Sequence, residues 1–126
     1  MQENDIAIII PVYNEAENLK LLYDRVKKTV SAISENYQVV FVNDGSTDDS
    51  LAKILAYSKE NTKVYYLNLS RNFGHQIAVS AGLEYCNAKC SVIIDADLQD
   101  PPELITELYT KYKDGFDVVY AKRRKR

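Results

Sequence analysis

Ser91-Val92-Ile93-Ile94-Asp95-Ala96-Asp97-Leu98-Gln99-Asp100-Pro101 joins a short apolar run to a burst of acids and then to a proline. The run Ser91 to Asp95 reads as a buried strand, because β-branched residues follow one another without polar alternation. Asp100 and Pro101 read as the N-cap and first position of a helix, with Glu103 completing a capping box. Leu104, Ile105 and Leu108 give that helix an inward stripe, and Gly115 ends it. A strand passing straight into a capped helix is the repeating half of a βαβ series.

The same grammar extends in both directions. Strands are predicted at Ile6 to Ile10, Tyr37 to Val42, Val64 to Leu69 and Phe116 to Ala121. Between them, Leu19, Leu22, Val26, Val30 and Ile33 mark a first helix with Asn14 as N-cap and Glu17 three residues on. A second helix is predicted from about Asp48 to Lys59, with Leu51, Ile54 and Leu55 inward. A third, from about His75 to Tyr85, uses Ala78, Ala81 and Gly82 to approach the sheet closely. The fold class is therefore α/β, a doubly wound and mostly parallel sheet with right-handed crossovers. At 126 residues and 46% apolar content the chain builds one core rather than two.

The polar residues that fit no helix or strand pattern gather in one place. Asn14 and Glu15 follow the first strand, Asn43 and Asp44 the second, and Arg71 and Asn72 the third. Asp95, Asp97 and Gln99 follow the fourth, and Arg123 the fifth. All lie at the C-terminal edge of a parallel sheet, where open α/β folds bind ligands.

Extended chain with a two-residue period sends Asp95, Asp97 and Gln99 to one side. Two adjacent carboxylates repel unless one is protonated or a cation lies between them, and hard oxygen donors select magnesium or manganese over zinc. The competing role for Asp95 and Asp97 is to shape the turn ahead of Asp100. Asp44, in Val42-Asn43-Asp44-Gly45-Ser46-Thr47-Asp48, either accepts the ring N–H of uracil or guanine or forms an Asx turn. Tyr13 offers a face on which a base stacks, although ten tyrosines make any one of them ordinary. Arg71, Arg123 and Arg124 carry the planar forks suited to phosphate, with plain surface solvation as the alternative. His75 is a catalytic base or a loop and cap residue.

Composition removes several classes. The net charge is −2, and Lys122 to Arg126 form a terminal cationic cluster on an otherwise acidic chain. That cluster is a solvated tail or an anion site; with no basic face elsewhere, nucleic acid is not an expected partner. Two cysteines without a CxxC pair support neither a disulfide framework nor a thiolate zinc site, which fits a reducing, cytoplasmic setting. The apolar stretch Ile6 to Val12 is interrupted by Pro11 and preceded by polar residues, unlike a signal peptide or membrane span. No GxGxxG or GxxxxGK[ST] is present, so a dinucleotide fingerprint and a P-loop are unsupported. A phosphatase using Asp95 as nucleophile would want its DxD after the first strand, and here it comes late.

Three blocks, Ile10-Pro11-Val12-Tyr13-Asn14-Glu15, Val42 to Asp48, and Asp95-Ala96-Asp97, resemble the signatures of the family 2 glycosyltransferases in order and spacing. Ser70-Arg71-Asn72-Phe73-Gly74, Ala81-Gly82-Leu83, Pro101-Pro102-Glu103 and Asp117-Val118-Val119-Tyr120 resemble the polyprenyl-phosphate branch of that family. The branch includes dolichyl-phosphate mannose synthases and bactoprenol glucosyltransferases.

The resemblance implies a GT-A, Rossmann-like fold, here incomplete, with residues 1–126 as the N-terminal nucleotide-sugar-binding part of a catalytic domain. It implies a UDP- or GDP-sugar donor held by Pro11, Tyr13, Glu15, Asp44, Arg71 and Asp95. Mg2+ or Mn2+ would sit on Asp95, Asp97 and Gln99. Asp97 and Arg123 would be catalytic, Arg123 gripping the acceptor's phosphate, in an inverting transfer to a polyprenyl phosphate. A hydroxyl acceptor and a non-catalytic nucleotide-sugar-binding module are the alternatives. Family members continue well past this length, many with C-terminal membrane helices. A place in the cytoplasm or on the cytoplasmic face of a membrane follows, as does weak or absent turnover by this portion alone.

Overall fold

The computed structural model describes residues 3–115. Its elements in chain order are β1 (Asn4–Val12), α1 (Ala16–Ile33), β2 (Tyr37–Asn43), α2 (Ser50–Glu60), β3 (Val64–Asn68), α3 (His75–Tyr85), β4 (Ala88–Ile93) and α4 (Leu104–Lys113). The four strands form one sheet in the order β3-β2-β1-β4, and every pairing is parallel. The predicted strand Phe116 to Ala121 and the cluster Lys122 to Arg126 lie outside the described residues.

The continuous apolar runs are explained by burial on both faces. Ile6, Ile8, Ile10 and Val12 of β1 pack with Val39 and Phe41 against Leu19, Leu22, Val26 and Val30 of α1, Ile54 of α2, and Ile105 and Leu108 of α4. The alternate residues Ala7 and Ile9, with Val40 and Val42, pack on Ala78 of α3. Three helices thus cover one face and α3 the other, which makes the sheet doubly wound. The close approach of α3 is visible at Gly82, where a Cβ would stand 2.5 Å from Cγ2 of Ile9.

Three helix starts differ from expectation, and at two of them, α1 and α4, the expected cap residue is engaged by a partner distant in sequence. Asn14 does not cap α1. It sits at φ 53°, and its Oδ1 accepts the N–H groups of Thr47 (2.7 Å) and Asp48 (3.3 Å). The helix begins two residues later, with Glu15 at the cap position making no side-chain cap. Its first N–H groups are met from the next crossover: Glu15 N–H donates to Ser50 Oγ at 3.1 Å and Ala16 N–H to Asp48 Oδ2 at 3.2 Å. Asp48 therefore serves as a latch rather than the start of α2, which begins at Ser50. The Ser50 hydrogen bond foremost holds the Asp48 carboxyl below its ordinary value.

The fourth helix starts at Leu104, not at Pro101. Residues 101–103 form a turn in which Leu104 N–H donates to Pro101 C=O (2.9 Å) and Ile105 N–H to Pro102 C=O (3.0 Å). Glu103 does not close a capping box; its carboxylate pairs with Arg25 of α1, and that guanidinium keeps its pKa low. Gly115 does terminate the helix, its N–H reaching Tyr112 C=O at 3.1 Å.

β4 also lies earlier than the predicted Ser91 to Asp95. Its ladder to β1 runs from Asn4 opposite Ala88 to Ile9 opposite Ile93, and Asp95 falls just beyond it. Cys86 and Cys90 are free thiols. Among the described residues no helix is long and apolar enough to cross a membrane.

Candidate active site

The chain moves from β1 outward to β2 and β3, then returns to the opposite side of β1 as β4. That reversal opens a crevice beyond the carboxyl ends of β1 and β4, the position at which open α/β sheets take ligands. The α-helical return α3 starts at the same edge.

Two open clefts adjoin there. One, of about 260 Å3, is walled by Pro11, Val12 and Tyr13 from the end of β1, by Asp44 after β2, and by Asn72, Gly74 and His75 ahead of and at the start of α3. The other, of about 410 Å3, is lined by Pro11, Glu15, His75, Asp95, Ala96 and Asp97. Pro11 and His75 belong to both, so the clefts lie side by side as the two halves of a trough. The first presents an aromatic face, since Tyr13 is 49% exposed; the second presents three carboxylates.

Asp44 is almost wholly buried, at 3% exposure, and its carboxylate has partners within the fold. Oδ1 accepts Phe73 N–H at 2.8 Å and Oδ2 accepts Gly74 N–H at 3.1 Å, while Asn72 Nδ2 donates to its backbone C=O at 3.2 Å. Asp44 thus clamps the turn before α3 rather than its own turn. A carboxylate offers about four lone-pair positions, so two backbone donors still leave capacity for a base N–H.

The acids after β4 do not continue as extended chain. Leu98 has φ 62° and Gln99 N–H donates to Asp97 Oδ1 at 3.1 Å, an Asx turn that breaks the two-residue period. Asp95 and Asp97 still line one cleft, whereas Gln99 is not part of its lining. Glu15 faces these carboxylates rather than the Tyr13 side, and its Oε2 accepts from Asn18 Nδ2 at 3.3 Å. Arg71 lines neither cleft; its guanidinium stacks over Phe73 at 4.3 Å. Arg123 and Arg124 lie outside the described residues.

His75 emerges as a site residue with a partner that spacing did not reveal. Its Nε2 stands 2.8 Å from Asp95 Oδ1, 20 residues apart in sequence. Asn72, expected at the ligand-binding edge, walls the first cleft, and so does Gly74, which spacing alone does not single out. The available signal was the Ser70 to Gly74 block, polar and turn-forming at the end of β3.

A family model, Glycosyl transferase family 2, matches residues 7–126, and the chain belongs to that family. It is 48% identical over 120 residues to an uncharacterized glycosyltransferase, YkcC, of Bacillus subtilis, covering 95% of this chain and 37% of that protein. It is 39% identical over 125 residues to the undecaprenyl-phosphate 4-deoxy-4-formamido-L-arabinose transferase of Proteus mirabilis, covering 98% of this chain and 38% of the relative. The chain thus spans well under half the length of these curated relatives.

Among solved structures, the mannosyltransferase PcManGT from Pyrobaculum calidifontis, in complex with GDP-Man and Mn2+, superposes with a TM-score of 0.67 at 20% identity. That match covers 80% of this chain and 34% of PcManGT. TarS of S. aureus superposes with a TM-score of 0.65 at 23% identity, covering 83% of this chain and 33% of TarS. These likenesses are of fold, and the fold is GT-A-like.

Proposed function

We propose that residues 1–126 are the nucleotide-sugar-binding part of a glycosyltransferase that moves a sugar from a UDP- or GDP-sugar to a polyprenyl phosphate with inversion. The observation that carries the reading is the pairing of the two clefts: a stacking face with a carboxylate on one side, and Asp95 with Asp97 on the other, meeting at Pro11 and His75. The nucleoside lies against Tyr13 and Asp44. The diphosphate then runs across the shared wall toward Asp95 and Asp97.

The donor set suits a hard divalent cation. Among the described residues, every charged side chain lining the second cleft, apart from any charge on His75, is a carboxylate, and oxygen donors favour Mg2+ or Mn2+. Among the described residues no three His, Cys, Asp or Glu side chains form a metal-binding group by themselves. Asp95 and Asp97 would hold the ion, which would supply charge neutralisation to a departing nucleoside diphosphate; Gln99, proposed as the third holder, does not line the cleft.

This chain's residues orient the donor: Tyr13 by stacking, Asp44 by accepting from the base, and Asp95 and Asp97 by fixing the diphosphate. An anionic phosphate acceptor attacks the anomeric carbon without prior deprotonation, so the acceptor demands no general base. The Proteus mirabilis relative, named for its action with undecaprenyl phosphate, supports that acceptor class. Arg123, outside the described residues, remains the proposed grip on the acceptor phosphate, and the lipid brings the whole protein to the cytoplasmic face of a membrane.

Calorimetry with UDP-glucose, UDP-GlcNAc and GDP-mannose, each with and without Mn2+, tests the donor reading. One nucleoside class is expected to bind, with heat that largely disappears when the metal is chelated. Absence of binding by all three in the presence of Mn2+ would refute it.

A further inference from the structure

We infer that His75 is a positioning residue that sets the Asp95 carboxylate for the divalent cation and couples it to the nucleoside side of the trough. The inference rests on the proposed metal role of Asp95 and Asp97 and adds the group that orients one of them.

Its first support is the contact itself. Asp95 Oδ1 only accepts, so the proton in the 2.8 Å contact with His75 belongs to Nε2. A donor on one carboxylate oxygen restrains the plane of the group. Outer groups that orient metal-binding carboxylates in this way contribute to affinity although they never touch the ion.

The second support is how His75 is held. It is the first residue of α3, and the two residues before it are pinned by their N–H groups to the Asp44 carboxylate. Asp44 in turn follows β2, whose backbone registers with β1 as far as Val12 opposite Asn43. The imidazole is therefore placed from the nucleoside side of the site and delivered to the metal side. It lines both clefts, and a base that engages Asp44 acts on the same clamp that fixes His75.

Mn2+ binding to this chain, followed by the EPR signal of the free ion and without any sugar donor, tests the assignment. His75→Gln keeps a donor at similar reach, and His75→Met keeps the bulk without one. His75→Met is expected to weaken Mn2+ binding about 10- to 100-fold, and His75→Gln to retain most of the affinity. Thermal unfolding of both variants guards against loss of fold, since the two side chains are of similar size. If Met and Gln bind Mn2+ equally, the hydrogen bond has no positioning role and the inference falls while the metal reading stands. Absence of Mn2+ binding by the unsubstituted chain overturns both.

Discussion

Replacing Asp97 with alanine is expected to slow sugar transfer by the whole enzyme on the order of a thousandfold, the equivalent of about 4 kcal/mol at the transition state. On the proposed metal role, the loss would arise where charge develops on the leaving diphosphate, because one of the two carboxylates proposed to share the cation is gone. Asp97 closes its turn through Gln99 N–H, so some local loosening is also expected. Steady-state kinetics separates these effects. A fall in kcat that added Mn2+ does not restore, with little change in thermal stability, fits the metal role. A rate within a few-fold of the unsubstituted enzyme removes Asp97 from the chemistry.

The second large effect is expected at Gly45. Its φ is +76°, and a Cβ there would stand 2.4 Å from the backbone nitrogen of Asn72 and 2.5 Å from the carbonyl carbon of Arg71. Backbone atoms cannot rotate aside as a side-chain end does, so Gly45→Ala forces the 71–74 segment outward. The left-handed backbone costs about 1–2 kcal/mol and the overpacking about 1–3 kcal/mol, a combined loss of roughly 2–5 kcal/mol. Urea unfolding measures it, and nucleotide affinity should fall in step, because the displaced segment carries the N–H groups that Asp44 holds. A midpoint unchanged from that of the unsubstituted chain contradicts this account of the loop.

The contrast between these two positions shows what the amino-acid order conveys. Apolar runs without alternation announced strands buried on both faces, and Ile6 to Ile10 are indeed covered by α1 on one side and α3 on the other. Parallel pairing followed from the alternation of strands with helices, and the C-terminal edge could be read from where Asn14, Asp44 and Asp95 fell. These are properties of local period and chain connectivity, so a linear string carries them.

Partnerships across loops are not local, and there the reading failed in a consistent way. Asn14 has the chemistry of an N-cap but turns to the N–H groups of Thr47 and Asp48. Glu103 has the spacing of a capping box but pairs with Arg25, 78 residues away. The cap of α1 comes from Asp48, and Asp95 meets His75. In each case a polar side chain meets a partner far away in sequence, on another loop or helix, and that partner replaces the one nearest in sequence. Such meetings also make the trough, since they draw three loops around Asp44 and His75.

Asp95 and Asp97 are proposed to hold one divalent cation against a nucleoside diphosphate. Anomalous diffraction from crystals of this chain grown with Mn2+ and UDP or GDP measures it most directly. The account predicts a single manganese peak at about 2.0–2.6 Å from a carboxylate oxygen of each residue and from the diphosphate. A bound diphosphate with its manganese elsewhere, or with none beside Asp95 and Asp97, would contradict it.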